Sequence, residues 1–190
     1  MTAVGDRGRL VQLRQAASDQ LRPGDVTAIR AVLWAAFADD DDGMTEEDWE
    51  HALGGTHVIA EIAGRIVGHA SVVARDIRVD GRPLHTGYVE AVAVEPALQR
   101  RAIGTALMRD VGTMILDAFE LGCLGTGSPE FYERLGWRRW QGPTAVRTAA
   151  GEVRTPDDDG GIMILETPRT PAGLDLSGTI SCEWRPGDVW

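Results

Sequence analysis

The sequence predicts an α/β fold with a mixed sheet, and three patterns carry that expectation. Apolar residues recur at helical spacing in two long stretches, short extended runs sit between turn signals, and the two kinds of segment interleave. Read along the chain, the order is β-α-α-β-β-β-α-β-α-β.

Residues 10–14 read as a short strand. Pro23 suits a first helical turn, and Val26, Ile29, Val32, Leu33 and Phe37 follow at helical spacing to give one apolar face. An acidic run over residues 39–42, closed by Gly43, ends that helix. Thr45 caps a second, shorter helix whose early acids, Glu46, Glu47 and Asp48, suit the positive end of its dipole. Gly54-Gly55 stops it. HVIAEI and RIVGHASVV, joined at Ala63-Gly64, read as a hairpin. Asp80-Gly81 is a stronger turn signal ahead of a strand over 85–94. Ile103, Leu107, Val111, Met114, Ile115 and Ala118 mark a long helix over 103–119, which Gly122 ends. A strand at 123–125, a short helix at 131–135 and a strand at 162–165 follow. Past Gly142 the chain is richer in Gly, Pro and Asp, and its ending, SCEWRPGDVW, is aromatic for a loose tail.

With 190 residues, 43% hydrophobic and 25% charged, the chain is expected to form one domain with a core of its own. The formal net charge is −10, from 29 acidic and 19 basic residues. Such a surface repels DNA or RNA and attracts a cationic ligand, although an acidic surplus also serves plain solubility. Cys123 and Cys182 have neither metal-ligand nor redox spacing and read as free thiols of a reducing compartment. The N-terminus, MTAVGDRGRLVQLRQ, carries charges where a signal peptide is apolar. The longest uncharged apolar run, residues 31–38, is far below the ~20 residues a membrane-spanning helix needs. A cytoplasmic location is expected. His51, His57, His69 and His85 show no ligand spacing, so no metal is expected.

The most specific stretch is YVEAVAVEPALQRRAIGTAL, residues 88–107. A hydrophobic strand ends at Glu95-Pro96, a basic turn follows at Gln99-Arg100-Arg101, and a helix opens at Ile103-Gly104-Thr105. Unpaired backbone N–H groups at a helix N-terminus, the dipole and the nearby arginines suit a pyrophosphate. Ala102 and Gly104 are small enough for the backbone to approach a ligand closely. The plain alternative is a strand-turn-helix that happens to carry arginines. Glu90 stands among the apolar residues Val89, Ala91 and Val92, where a carboxylate is costly unless something compensates its desolvation. It reads either as an edge residue facing water or as the group that binds an acceptor ammonium and takes its proton.

This stretch resembles the acetyl-CoA signature of the GNAT superfamily, Q/R-x-x-G-x-G/A, with Gln99, Ala102 and Gly104 at its three positions. Ala102 replaces the usual first glycine, and alanine resists left-handed backbone angles. FYERLGW, residues 131–137, looks like the superfamily's second element, in which a short helix carries a tyrosine beside the thioester sulfur. The resemblance implies the GNAT acyltransferase fold, a central mixed, mostly antiparallel sheet flanked by helices, with acetyl-CoA as donor. By the same resemblance, the backbones of Val92, Ala93 and Val94 bind the pantetheine arm. Gln99, Arg100, Arg101, Ala102, Ile103, Gly104 and Thr105 hold the pyrophosphate. Tyr132 donates a proton to the departing CoA thiolate, chemistry a phenol can perform.

FADDDDGMTEEDWEHALGG, YVEAVAV, TPDDDG and the ending CEWRPGDVW narrow the likeness. Together they resemble the aminoglycoside 2′-N-acetyltransferases of actinobacterial type, over almost the whole chain. That resemblance implies an acceptor site formed by an acid of the 39–42 run, with Asp40 favoured, and by Asp48, Glu90, Ala91, Asp158 and Asp188. The carboxylate of Trp190 joins them, Thr126 contacts an acceptor hydroxyl, and residues 150–190 are an extension serving that site. It also implies a homodimer and direct transfer in a ternary complex, with Glu90 and Trp190 orienting the amine and accepting its proton, directly or through water. Backbone N–H groups near Val92 polarise the acetyl carbonyl. No His or Asp pattern activates Cys123 as a nucleophile, so no acetyl-enzyme is expected. Trp34, Trp49, Trp137 and Trp140 read as core or cleft walls, and Trp184 as packing the tail. The rival readings are a GNAT enzyme for a protein or cell-wall amine and a non-catalytic module that sequesters a cationic drug.

Overall fold

The computed structural model describes residues 3–6, 9–39 and 43–190. Its strands are β1 (Ala3–Asp6), β2 (Arg9–Ala17), β3 (Thr56–Ile62), β4 (Arg65–Val79), β5 (Arg82–Val94), β6 (Leu121–Gly125), β7 (Arg138–Arg139), β8 (Thr144–Thr148), β9 (Gly151–Arg154), β10 (Ile162–Glu166) and β11 (Ile180–Glu183). The helices are α1 (Pro23–Ala36), α2 (Glu46–His51), α3 (Ile103–Ala118) and α4 (Pro129–Glu133). The α/β fold with a mixed, mostly antiparallel sheet is as the sequence predicts. The chain divides into two compact units, Met1–Val73 with Val89–Val111, and Ala74–Tyr88 with Gly112–Trp190.

In the first unit the strand order is β1-β2-β3-β4-β5. β2 runs antiparallel to β3, from Val11 opposite Ile62 to Ala17 opposite Thr56. The β3–β4 turn is Ala63-Gly64, both at positive φ (51° and 77°), as a two-residue turn matched to strand twist requires. Helix α1 opens at Pro23, and the buried Asp25 accepts the Arg22 N–H at 3.2 Å and the Arg14 guanidinium at 2.8 Å. Ile29, Val32 and Leu33 then fall on one face and pack with Trp49 and Ala52, with Ile59 and Ile66 of the strands, and with Ala93. α2 starts as the sequence predicts: Thr45 Oγ1 accepts the Asp48 N–H at 3.2 Å and Asp48 accepts the Thr45 N–H at 2.9 Å.

In the second unit the N-terminal part of β5 pairs parallel with β6, with Tyr88 opposite Cys123. β10 runs antiparallel to both β6 and β7. β11 lies antiparallel to the end of β4 and parallel to β8, which in turn pairs antiparallel with β9. Tyr88, Leu121, Cys123, Trp137, Trp140, Ile162, Ile164, Ile180 and Cys182 form the buried interior. Trp140 donates its indole N–H to the Gly178 carbonyl at 3.0 Å. Trp184, expected to pack the tail, is 59% exposed; Cys182, Val189 and Trp190 hold that segment instead.

Candidate active site

β5 ends in an irregular segment. Its inward-outward alternation breaks at Glu90, Ala91 and Val92, which are all half-buried, and Ala91 sits at φ 51°. An L-residue in the left-handed region marks a bulge, and such strain persists only where neighbours over-determine it. Those neighbours are on β4: Ser71 Oγ donates to the Glu90 carbonyl at 3.4 Å, and the His69 ring bonds to the Ala91 carbonyl at 2.8 Å. Gly68, on the same strand, has Ala93 O 3.2 Å and Leu107 Cδ1 3.1 Å from where a Cβ would lie, so β4 passes close under the start of α3.

Beyond Val94 the chain makes a tight turn. Gln99 Nε2 donates back to the Val94 carbonyl at 3.3 Å, and Arg65 pairs with Glu95. Arg100 and Ala102 both take left-handed angles, φ 61° and 63°. Ala102 therefore adopts the conformation a glycine would take more cheaply. The Ala106 N–H bonds to the Ala102 carbonyl at 3.0 Å, which makes Ala102 the cap of α3. The N–H groups of Ile103, Gly104 and Thr105 then belong to the first turn, where a helix has no internal partners for them. Arg100 and Arg101 are exposed beside that terminus. A turn of alternating hand ahead of a helix N-terminus, flanked by guanidinium groups, suits a phosphorylated ligand.

In the second unit Tyr132 is buried on α4, and burial pushes its phenol up to about 12, against the opposing effect of a hydrogen bond from Thr126. The Thr126 hydroxyl also accepts the Ser128 N–H at 2.9 Å, so the predicted acceptor contact is tied to the predicted acid. Asp158 is half-buried, and its carboxyl is held above the usual range first by desolvation, then by the charges of Asp188, Asp157 and Asp159. Asp188 accepts the Trp190 N–H at 3.3 Å, and the buried Trp190 indole donates to Thr155 Oγ1 at 3.0 Å. A Cβ on Gly125 would lie 3.4 Å from the Trp190 main chain, which places Trp190 at the end of β6, next to Thr126. Arg75 fixes this ending. It lies 4.5 Å over the Tyr88 ring and donates to the Glu183 and Val189 carbonyls at 3.2 and 2.9 Å.

The predicted residues thus fall into sets by unit. Glu90, Ala91, Val92, Ala93, Val94, Gln99, Arg100, Arg101, Ala102, Ile103, Gly104 and Thr105 lie in the first. Thr126, Tyr132, Asp158, Asp188 and Trp190 come together in the second. Asp40 lies outside the described residues. Asp48 belongs to the first unit, where its Oδ2 is engaged by Thr45 as a helix cap. Sequence reasoning passed over Ser18, His57, His69, Ser71 and Arg75. For His57, His69, Ser71 and Arg75 the available signal was a polar or ionisable residue at inward positions of strands otherwise built of Val, Ile and Ala; Ser18, in the turn after β2, carried no such signal.

The Acetyltransferase (GNAT) domain family matches residues 18–140 of the chain. An aminoglycoside 2′-N-acetyltransferase of Mycolicibacterium fortuitum is 41% identical over 165 residues, 85% of this chain and 83% of that protein. Among solved structures, a GNAT family N-acetyltransferase from Escherichia coli in complex with CoA superposes with a TM-score of 0.65 at 15% identity, covering 94% of this chain and 93% of that one. A GNAT family acetyltransferase from Brucella melitensis in complex with acetyl-CoA gives 0.58 at 20% identity, over 90% and 94%. At these identities the two structures speak for the fold.

Proposed function

We propose that this chain, which belongs to the GNAT acetyltransferase family, transfers the acetyl group of acetyl-CoA to the 2′-amine of aminoglycoside antibiotics. The observation that carries the acceptor is the 41% identity, sustained over 85% of the chain, to an aminoglycoside 2′-N-acetyltransferase. The electrostatics of the second unit support it. Asp158 is raised first by desolvation and then by the charges of Asp188, Asp157 and Asp159, and a polycation bound beside it offsets those charges.

In the proposed mechanism the exposed N-terminus of α3, with Arg100 and Arg101, takes the pyrophosphate, and Val92, Ala93 and Val94 bind the pantetheine arm through their backbones. Asp40, Asp48, Ala91, Thr126, Asp158 and Asp188 contact the acceptor. Glu90, with the carboxylate of Trp190, accepts the proton of the 2′-ammonium, and the neutral amine attacks the thioester carbon. Val92 N–H donates to the carbonyl oxygen as negative charge develops there. The C–S bond breaks, and Tyr132, fully protonated at working pH, supplies the proton that the CoA thiolate takes up. The amide and free CoA are the products. No helix among the described residues is long and apolar enough to cross a membrane. The two free, buried cysteines and the family resemblance support a cytoplasmic homodimer.

The test is incubation of the purified protein with acetyl-CoA and gentamicin, following thiol release and drug mass together. Thiol release with one acetyl group added to the drug, both lost in Glu90→Gln, is the expected result. Thiol release without acetylated drug discards the acceptor. Drug binding with neither product points to a sequestering module.

A further inference from the structure

We propose that His69, His57 and Ser18 are positioning residues for acetyl transfer, a directed chain of hydrogen bonds that holds the Ala91 carbonyl and thereby aims the Val92 N–H. The proposal rests on the reading of Val92 N–H as a donor to the acetyl carbonyl. Its geometry lies wholly in the first unit.

The direction of the chain follows from its far end. A carbonyl oxygen only accepts, so at 2.8 Å from Ala91 O the His69 Nδ1 must carry the hydrogen. A neutral imidazole then has a lone pair at Nε2, and the atom 2.8 Å from it, His57 Nδ1, must donate. That leaves a lone pair on His57 Nε2, which takes the Ser18 hydroxyl proton at 2.8 Å in preference to the Gly55 carbonyl at 3.2 Å, an oxygen the Ser18 N–H already serves at 3.1 Å. Ser18 Oγ in turn accepts the Gly54 N–H at 2.9 Å. Each group thus has one assignment, fixed by the next. Both rings are fully buried, and desolvation lowers them to about 4 for His57 and about 3 for His69, where the neighbouring His57 adds to the effect. They are neutral at working pH, as the one-way pattern requires.

The consequence for chemistry comes from peptide planarity. The carbonyl of Ala91 and the N–H of Val92 belong to one rigid trans unit and point in opposite directions. Binding Ala91 O to His69 therefore turns the Val92 N–H away from β4. The Ser71 bond to Glu90 O does the same for the preceding peptide. Without these donors, Ala91 has no reason to stay at φ 51°, since a regular strand conformation is cheaper for alanine. Two side chains two residues apart on β4 share a face, so one strand supplies both donors. The buried histidine pair is thus a support for an N–H that itself touches substrate.

The test combines variants with a tautomer measurement. A correctly aimed donor acts in the transition state, so His69→Leu should lower kcat about tenfold or more while KM and the calorimetric Kd for acetyl-CoA stay put. His69→Asn presents an amide N–H near the position of Nδ1 and should recover kcat to within about threefold of the wild type. His57→Phe keeps the volume but frees His69 to adopt the other tautomer, and should lower kcat although His57 sits on β3, with β4 between it and β5. In nitrogen-15 NMR of the protein alone, both rings should carry hydrogen on Nδ1. A folded His69→Leu protein with wild-type kcat overturns the proposal; if that variant does not fold, wild-type kcat in His57→Phe does. Hydrogen on Nε2 of either ring overturns it as well, even where the wild type acetylates no aminoglycoside. That last outcome with the Nδ1 pattern intact sinks the acceptor reading and leaves the hydrogen-bond chain standing.

Discussion

Replacing Ala102 by glycine should stabilise this protein, although the same exchange destabilises a helix. Ala102 holds φ 63° as the cap of α3. For an L-residue the left-handed region costs about 1–2 kcal/mol, which glycine escapes. Glycine's greater freedom in the unfolded chain takes back about 0.4–1 kcal/mol. The balance favours Ala102→Gly by about 0.5–1 kcal/mol, or ~1–4 °C in Tm for a chain of this size. The control is Ala31, an exposed residue inside α1, where Ala31→Gly should cost about 1 kcal/mol. Urea denaturation of both variants beside the wild type reads the two signs directly. If Ala102→Gly loses stability as Ala31→Gly does, the loop does not hold Ala102 in the left-handed region and the reasoning fails. Ala102→Val, whose branched side chain tolerates that region worst, should raise KM for acetyl-CoA by distorting the pyrophosphate turn.

Tyr132→Phe should lower kcat about a hundredfold with little change in KM for acetyl-CoA, the size expected for a lost proton donor. With the phenol pushed up to about 12, thiol-release rates should show no alkaline fall attributable to Tyr132 below pH ~10. Asp158 has a raised carboxyl in the folded state, so the stability it contributes is present at low pH and lost as pH rises through its folded titration. Asp158→Asn should therefore raise the Tm of ligand-free protein at pH 8 while weakening aminoglycoside binding in calorimetry; a fall in both contradicts the reading of Asp158 as a desolvated carboxylate among like charges. Asp25 has the opposite sign. Its carboxyl is held low chiefly by the side-chain bond from Arg22, so its contribution is full above the ordinary carboxylate range and is lost as pH falls through the depressed value. Asp25→Ala should destabilise the protein at neutral pH by removing the carboxylate that bridges Arg14 and Arg22 and accepts the Arg22 N–H at the start of α1, with the difference shrinking in acid denaturation curves.

What could be read from the sequence was whatever local physics dictates alone. Pro23, Thr45 and the Asp80-Gly81 turn each impose a boundary, and the structure puts boundaries there. The strand, small-residue turn and helix N-terminus over residues 88–105 were legible because their demands are local. β4 runs past Val73 to Val79, a stretch that was not legible because Arg75, a charge, occupies an inward position and hides the alternation. β9 has all four residues exposed and so shows no apolar pattern. β11 is held by β8 and the end of β4, pairings no neighbouring residue announces. The same holds for His57 and His69, twelve residues apart on adjacent strands: their meaning is their contact with each other and with Ala91. Asp48 was legible as an early acid of its own helix, and the structure adds that it accepts the Thr45 N–H there.

The central claim is acetylation at a 2′-amine, and two aminoglycosides that differ only at that position test it. With acetyl-CoA and the purified protein, the drug bearing a 2′-amine should gain one acetyl group and release CoA in equal amount. Its 2′-hydroxyl counterpart should be returned unchanged. Equal acetylation of both would place the reaction on another amine and contradict the account.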